Sequence, residues 1–269
     1  MSGVWVIDIE TVPLGTKLDR PNGMPDHWLE DEPYVAPQPK KVPSSYRDPE
    51  KIAAKQAELD TKNIRDAAVG KHKWITERLS SWKARALSPY TAEIVAIAMH
   101  PLDDYAPDDP GSVRVKHYVT GPKTERTLMQ QLESTLKQNN VTHLVHWGSY
   151  DPPVLREAMC RHDLRLPRLE RILRQKLRGR AWYPNCLDAS ILTHARHTTF
   201  NRGWGLKNIA AQLGWEDTAK VPSRNVYDAW LAGDYVGCCD RAAADVDFVL
   251  RILERERCIS DVLDWAGEY

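Results

Sequence analysis

The sequence predicts an α/β layered domain with a mixed sheet flanked by helices and a large insertion after the first strand. Three observations carry this. Val4–Ile9 (VWVIDI) is a short run rich in β-branched residues, read as a buried strand. Two more strand-like runs, Glu93–His100 and Val113–Val119, follow one another, and from Thr124 onward strands and helices alternate. Between the first two strands, residues 14–90 have a different character altogether. The chain is therefore read as one domain over 1–269, with 14–90 as an inserted loop and helical segment.

The elements follow in order. After the first strand, residues 12–50 carry eight prolines and no periodicity, which predicts a long loop. Asp48 can cap a helix that has Pro49 in its first position and continues to about residue 86. Thr124–Gln138 is amphipathic, with Leu128, Leu132 and Leu136 four apart. Thr142–His146 is a further strand, and Asp151–His162 a helix that tolerates Pro152 and Pro153 in its first turn. Cys186–Ala189 reads as a short strand or turn. Leu206–Leu213 and Asp240–Glu256 read as helices, the second periodic through Val246, Val249, Leu250 and Leu253.

Lys+Arg and Asp+Glu are both 37, so no global charge argues for a polyanionic partner and the case rests on local clusters. Lys40–Arg85 holds twelve basic and six acidic residues, and Arg161–Arg180 holds eight basic residues against Asp163 and Glu170. Either is a solvated face or a surface for a phosphate backbone. If the insertion guides such a strand, reversing Lys51, Lys55 and Lys62 should weaken binding and flatten its salt dependence. Five cysteines without a CxxC pair make a poor disulfide framework, and no apolar run is long enough for a membrane. The expectation is a reduced, cytoplasmic protein without a membrane partner. His194 and His197 have no Cys or His partner at zinc-site spacing, so no structural zinc is expected. Trp74 and Trp82 are read as packing residues.

The chemistry lies in acids. Asp8 and Glu10 are two apart in a strand and so share a face; burying both is costly unless a cation stands between them. The other reading is a strand end emerging into solvent. Asp151 follows Trp147-Gly-Ser-Tyr150 at the mouth of a sheet, where it would serve equally as a helix N-cap. Asp245 sits on a helix beside Ala242–Ala244, whose small side chains permit close approach to another element; Asp247 faces elsewhere and is read as solvated. Such oxygen donors suit two hard ions, Mg²⁺ or Mn²⁺, able to activate water and stabilise a leaving oxygen in phosphodiester cleavage.

At these residues the chain resembles the DEDD (DnaQ-like) 3′→5′ exonuclease superfamily of phage and bacterial type. Val6-Ile-Asp-Ile-Glu-Thr-Val-Pro13 is similar to its first motif and His146–Leu155 to its second. Leu206–Gly214 resembles the helix before the third, and Asp240–Val249 the third motif itself. Residues 82–98 resemble the approach to the second strand. The resemblance implies an RNase H-like fold with Asp8, Glu10, Asp151 and Asp245 as metal ligands. It also implies 3′→5′ removal of nucleotides from a single-stranded end, DNA favoured over RNA, with replication or repair proteins as partners. Two positions depart from the pattern. Trp147 stands where many members carry Asn. The third motif's usual general base, a Tyr or His, is replaced: Arg241 lies four residues before Asp245, and Asp240 five. Arg cannot serve as a base near neutral pH. Asp240 is the acidic candidate, or a helix cap, and Arg241 is expected to reach the scissile phosphate or pair with a metal-binding carboxylate. The alternative function is a catalytically weak or inactive nucleic-acid-binding module on the same fold.

Overall fold

The computed structural model describes residues 3–16, 24–25, 28, 34–45, 47–105, 116–119, 124–174, 176–178, 180–182, 184–196 and 205–267. Residues 113–115 of the expected second hairpin strand and His197 lie outside this set. The chain forms two compact units: Met1–Leu14 with Ala86–Tyr269, and Gly15–Arg85. The sequence reading has one domain with 14–90 inserted; the structure draws the boundary at 15–85.

The larger unit is built on a five-stranded mixed sheet. Its strands are β1 (Val4–Pro13), β2 (Ala92–Pro101), β3 (Lys116–Val119), β4 (His143–His146) and β7 (Cys186–Asp188), in the order β3-β2-β1-β4-β7. β1 pairs antiparallel with β2 and parallel with β4, and β4 pairs parallel with β7. A separate hairpin, β5 (Lys176–Arg178) with β6 (Arg180–Trp182), lies in the arginine-rich segment. The helices of this unit, numbered after α1 (Pro49–Ala84) of the smaller unit, are α2 (Glu125–Gln138), α3 (Asp151–Arg161), α4 (Pro167–Ile172), α5 (Ala189–Arg196), α6 (Leu206–Gln212), α7 (Val226–Leu231), α8 (Tyr235–Arg255) and α9 (Ile259–Gly267). β1 runs to Pro13, four residues beyond the expected Ile9, because its antiparallel pairing with β2 continues through a register shift between Glu10 and Thr11. Asp8 and Glu10 are therefore interior to the strand rather than at its end.

Both faces of the sheet are covered. Trp5, Ile7 and Ile9 of β1 pack with Leu128, Leu132 and Leu136 of α2, Leu155 of α3 and Leu169 of α4. Val4 and Val6 point the other way, into a cluster with Ala242, Val246, Val249 and Leu253 of α8 and Val262 of α9. This period-two alternation decides the site, because Asp8 and Glu10 continue the Val4–Val6 series toward α8.

α8 begins at Tyr235, five residues ahead of the expected Asp240, and Asp234 caps it by accepting from the Gly237 N–H at 2.9 Å. Asp240 lies inside the helix and is exposed, so it is not a cap. Gly237 sits where a Cβ would press on the capping carboxylate and stand 2.6 Å from Val221 Cγ2. Overpacking typically costs ~1–3 kcal/mol, against the ~1 kcal/mol that Ala gains over Gly in a helix. Gly237→Ala is expected to lower the urea midpoint; an unchanged or higher midpoint would contradict the tight fit.

In the smaller unit, α1 (Pro49–Ala84) is a 36-residue helix with Asp48 accepting from the Glu50 and Lys51 N–H groups. Of its residues Leu59 and Trp82 are buried. Trp82 meets Trp28 edge-on at 5.2 Å, with the Arg85 guanidinium over both rings, and Trp74 lies 6.0 Å from Tyr34. Part of the basic excess is paired locally, Lys55 with Glu58 at 2.6 Å and Lys40 with Asp66 at 3.4 Å.

Candidate active site

The parallel pairing of β1 with β4 covers Val4–Val6 only. Asp8 and Glu10 thus stand past the last β4 partner, where the parallel pairing ends while β1 itself continues along β2; open α/β sheets offer a crevice outside the carboxyl ends of their parallel strands. Their cross-strand neighbours on β2 are Ala98 and Ala96. Directly opposed residues share a face, so small side chains flank both acids and leave room for α8. α8 approaches with Ala242 and Ala244 buried and brings Asp245 over the strand. The result is three carboxylates, Asp8, Glu10 and Asp245, whose nearest oxygens all lie within 4.8 Å of one another.

Asp151 arrives from the neighbouring strand. β4 ends at His146, and the chain turns through Gly148 at φ 79°, a left-handed conformation that favours glycine. Asp188, at the end of β7 and in register with His146, fixes this turn: its Oδ1 accepts from the Gly148 N–H at 2.8 Å and the Ser190 N–H at 2.9 Å. Asp151 is the first residue of α3; Tyr150 occupies the cap position, and no side-chain cap is made. The N-cap reading of Asp151 is therefore set aside. Asp151 lies outside the trio of mutually close oxygens, but its charge acts on both Asp8 and Glu10.

How these acids are buried sets them apart from others in the chain. Glu125 is as deeply buried, yet its oxygens accept from the Ile94 N–H, Arg161 and His162, each at 2.7 Å. Glu133 accepts from the Arg168 and Leu169 N–H groups at 2.9 and 3.0 Å and pairs with Lys137. Asp8 Oδ2 and Asp151 Oδ2 are buried with no hydrogen-bond partner among the described residues. An orphaned carboxylate oxygen in a protein interior is costly, and a cluster of them is the donor set that a hard divalent cation takes.

The electrostatics agree with the crowding. Asp8 is pushed well above the usual carboxylate range by burial, then by the charges of Asp245, Asp151 and Glu10. Glu10 is raised to about 8, chiefly by burial and then by Asp245, with Lys207 and Arg241 opposing. Asp151 is raised well above its ordinary value by burial, then by Asp188 and Asp245. Asp245 is also raised by burial, though Arg241 and Lys207 pull it down.

Arg241 takes one of the two roles open to it in the sequence. It is fully buried; both oxygens of Asp217 accept from its Nη1 at 2.6 Å, and Asp245 Oδ1 accepts from Nη2 at 2.5 Å. A guanidinium so enclosed and so occupied does not reach a scissile phosphate; of the two roles expected, pairing with the carboxylate is the one realised. Lys207 Nζ stands 3.6 Å from the other Asp245 oxygen. Asp240, one residue from Arg241, faces solvent. Asp247 is half-buried rather than solvated and lies 3.6 Å from Arg251.

Sequence reasoning missed Asp188, Lys207 and Asp217. Asp188 carried a usable signal, an Asp directly before a helical Ala-Ser start. Asp217 carried none: it lies in an irregular segment 24 residues from Arg241.

A mixed sheet with helices on both faces, and acids gathered where its parallel pairing ends, defines an RNase H-like α/β protein. Residues 85–245 match the RNase_H superfamily, and since that is more than half of the chain, the protein belongs to this superfamily. The matched stretch includes Asp151 and Asp245 and begins after β1, so the place of Asp8 and Glu10 rests on geometry. Among solved structures, the family B DNA polymerase from the hyperthermophilic archaeon Pyrobaculum calidifontis is similar over 94% of this chain, with a TM-score of 0.51 and 14% identity. The likeness spans 24% of that polymerase chain and, at such identity, concerns the fold alone. No curated protein matches the sequence. Among the described residues, no helix is long and apolar enough to cross a membrane.

Proposed function

We propose that this protein is a metal-dependent 3′→5′ exonuclease of the DEDD type, acting on single-stranded ends, with DNA favoured over RNA. The observation that carries the reading is the convergence of Asp8, Glu10 and Asp245 beside Asp151, with buried oxygens of Asp8 and Asp151 that no donor among the described residues satisfies. These four carboxylates would hold divalent ions, Mg²⁺ or Mn²⁺. The chemistry such ions would supply there is a more acidic water and an offset to charge on the leaving oxygen of a phosphodiester. The protein's own groups do the positioning. β1 and α8 fix three of the acids from two elements; Asp188 sets the turn that presents the fourth. Arg241, clamped by Asp217, orients Asp245 and keeps its Oδ1 engaged, leaving Oδ2 to face Lys207 and the site. No Tyr or His occupies the position of the usual general base, and exposed Asp240 is the remaining acidic candidate there.

One observation favours a second reading, a weakly active or inactive nucleic-acid-binding module: Asp245 already has two cationic partners, Arg241 and Lys207. Incubation of a labelled single strand with Mg²⁺ or Mn²⁺ separates the two. The first reading expects stepwise shortening from the 3′ end; the second expects a retained complex with intact strand. In either case a basic surface is needed for the phosphates, and cytoplasmic replication or repair proteins are the expected partners. Reversing Lys51, Lys55 and Lys62 to Glu is expected to weaken binding and lower the salt slope by ~0.7 per lost contact to a single strand. An unchanged slope would leave α1 without a role in binding.

A further inference from the structure

The arginine-rich segment that follows α3 borders a cavity of about 660 Å³. Arg156 and Met159 of α3 line it, with Leu164 and Arg165 of the next turn and Leu173 and Arg174 after α4. Leu164 and Leu173 belong to a buried core cluster and Met159 packs against it, so part of the wall is apolar and backed by the core. The turn is fixed as well. The Cys160 and Met159 carbonyls accept from the Asp163 and Leu164 N–H groups at 3.2 and 2.9 Å, with Asp163 at φ 47°. Small-molecule sites commonly have ~300–1,000 Å³, a preformed and mainly apolar wall, and a few polar groups that fix orientation.

The arginines on this cavity differ from two of their neighbours. Arg161 donates to Glu125 at 2.7 Å, and Arg168 to Asn140 Oδ1 at 2.9 Å. Arg156, Arg165 and Arg174 are exposed, and among the described residues no side chain pairs with their guanidiniums. Two acids also line the cavity. Glu170 accepts from the Leu166 N–H at 3.2 Å, which leaves exposed Asp163 against three arginines. The cavity lies apart from the four carboxylates. Asp151 opens α3, whereas residues 156–160 come later on it, about 8–14 Å along the axis at 1.5 Å per residue.

We propose that this cavity binds a nucleoside monophosphate, at a site separate from the four acids. Arginine makes paired, charge-assisted hydrogen bonds to phosphate oxygens, and a phosphate monoester carries about −1.5 to −2 charge near neutral pH. A base is flat, with a face that suits Met159, Leu164 and Leu173 and on which a guanidinium also stacks. Neither half of such a ligand is enough. Inorganic phosphate leaves the apolar wall uncovered, and a nucleoside leaves the guanidiniums without a counter-charge. The cavity and its charge stand independently of the exonuclease reading. The choice of a nucleotide over other aromatic phosphate esters rests on that reading, whose product is a nucleoside monophosphate.

Equilibrium dialysis of radiolabelled dAMP against the folded full chain in EDTA reads the site without turnover. Saturable binding is expected, with deoxyadenosine and inorganic phosphate each competing at least about tenfold more weakly. Arg165→Gln and Arg174→Gln, at exposed positions, should each raise the dissociation constant about tenfold. Cys160 also lines the cavity and is exposed, whereas Cys186, Cys238, Cys239 and Cys258 are buried. N-ethylmaleimide should therefore modify Cys160 first, and saturating dAMP should slow that reaction. Absence of saturable binding, affinity unchanged in both arginine variants, or Cys160 alkylated at the same rate with and without dAMP would overturn the site. So would phosphate that competes as well as dAMP itself, which marks a general anion site. A single strand without terminal phosphates that protects Cys160 where dAMP does not would give the cavity to the strand and also overturn the proposal. Digestion of a labelled strand with Mg²⁺ or Mn²⁺ reads the exonuclease function separately. Digestion without dAMP binding strikes the cavity alone, and dAMP binding without digestion strikes the exonuclease reading alone.

Discussion

Asp245→Asn is expected to abolish cleavage, and Asp8→Asn likewise, whereas Asp240→Asn should slow it by no more than the ~10²–10⁴-fold typical of a lost general base. Asn is nearly isosteric with Asp, so the contrast isolates charge. At position 245 its amide oxygen can still accept from Arg241 Nη2, and the packing of α8 against β1 is kept. What is lost is one of three carboxylates gathered within 4.8 Å, and with it affinity for a divalent ion. The substitution also leaves Lys207 and Arg241 facing a weaker counter-charge, so folding is checked separately by thermal melting. A folded Asp245→Asn protein that binds Mn²⁺ and cleaves normally would remove Asp245 from the reaction. Asp240 is exposed on the same helix, about 100° around from Arg241, and is tested by the pH–rate profile. An acidic limb identical in wild type and Asp240→Asn excludes it as the base.

The second large effect concerns pH. Glu10 is raised from 4.5 to about 8, and Asp8 and Asp151 are raised well above 3.8, in each case chiefly by burial. The folded protein therefore holds protons that the unfolded chain releases. Where that is so, unfolding free energy falls as pH rises, by about 1.4 kcal/mol per pH unit for each retained proton. For Glu10 the contribution is fully present below about pH 4.5 and is lost as pH climbs to about 8. Metal-free protein should thus melt at lower temperature at pH 8 than at pH 6. A divalent cation takes the place of those protons, so binding releases them and strengthens with pH. Mn²⁺ is expected to raise the melting temperature more at pH 8 than at pH 6. A melting temperature independent of pH in EDTA, or an equal Mn²⁺ effect at both pH values, would contradict the crowding of these acids.

Much of this arrangement was readable from local patterns. The alternation of Val4, Val6, Asp8 and Glu10 is a statement about one face of a strand, and it needs no tertiary information. Ala242–Ala244 announced a close helix approach, and Ala96 and Ala98 on β2 supply the complementary small surface. The extension of β1 to Pro13 was not readable, because Thr11–Pro13 are held by pairing with Thr91-side residues of β2 across a register shift. The spacing of Arg241 from Asp245 allows both a phosphate contact and the carboxylate pairing, and the sequence does not show the second partner that decides between them, Asp217. Asp217 belongs to an aperiodic loop, and nothing local ties it to a helix 24 residues away. Asp188 acts through backbone N–H groups of a turn 40 residues earlier, a contact that exists only once β4 and β7 pair. The division at residues 14/15 and 85/86 likewise reflects packing within Gly15–Arg85 around Trp28 and Trp82 rather than a composition change.

Breaking the Arg241–Asp217 clamp should act through Asp245. Asp217→Asn retains one acceptor but removes the charge opposite a fully buried guanidinium, and loss of one partner of a buried pair commonly costs ~3–5 kcal/mol. Because Asp217 is 41% exposed on its side chain, a smaller loss of stability is expected here. Mn²⁺ affinity of the folded variant should fall as Asp245 loses its fixed orientation. Unchanged Mn²⁺ affinity alongside a lowered melting temperature would make the clamp structural only.

Asp8 and Glu10 of β1, Asp151 of α3 and Asp245 of α8 carry the proposed metal-dependent 3′→5′ exonuclease activity. Its most direct test is digestion of a 5′-labelled single strand by wild-type protein, on DNA and RNA side by side, with Mg²⁺, Mn²⁺ or EDTA. The account predicts a ladder shortening one nucleotide at a time from the 3′ end, faster on DNA, present with either ion and absent in EDTA and in Asp245→Asn. Intact strand under Mg²⁺ and Mn²⁺ alike, with protein shown to be folded, or cleavage that persists in EDTA, would contradict it.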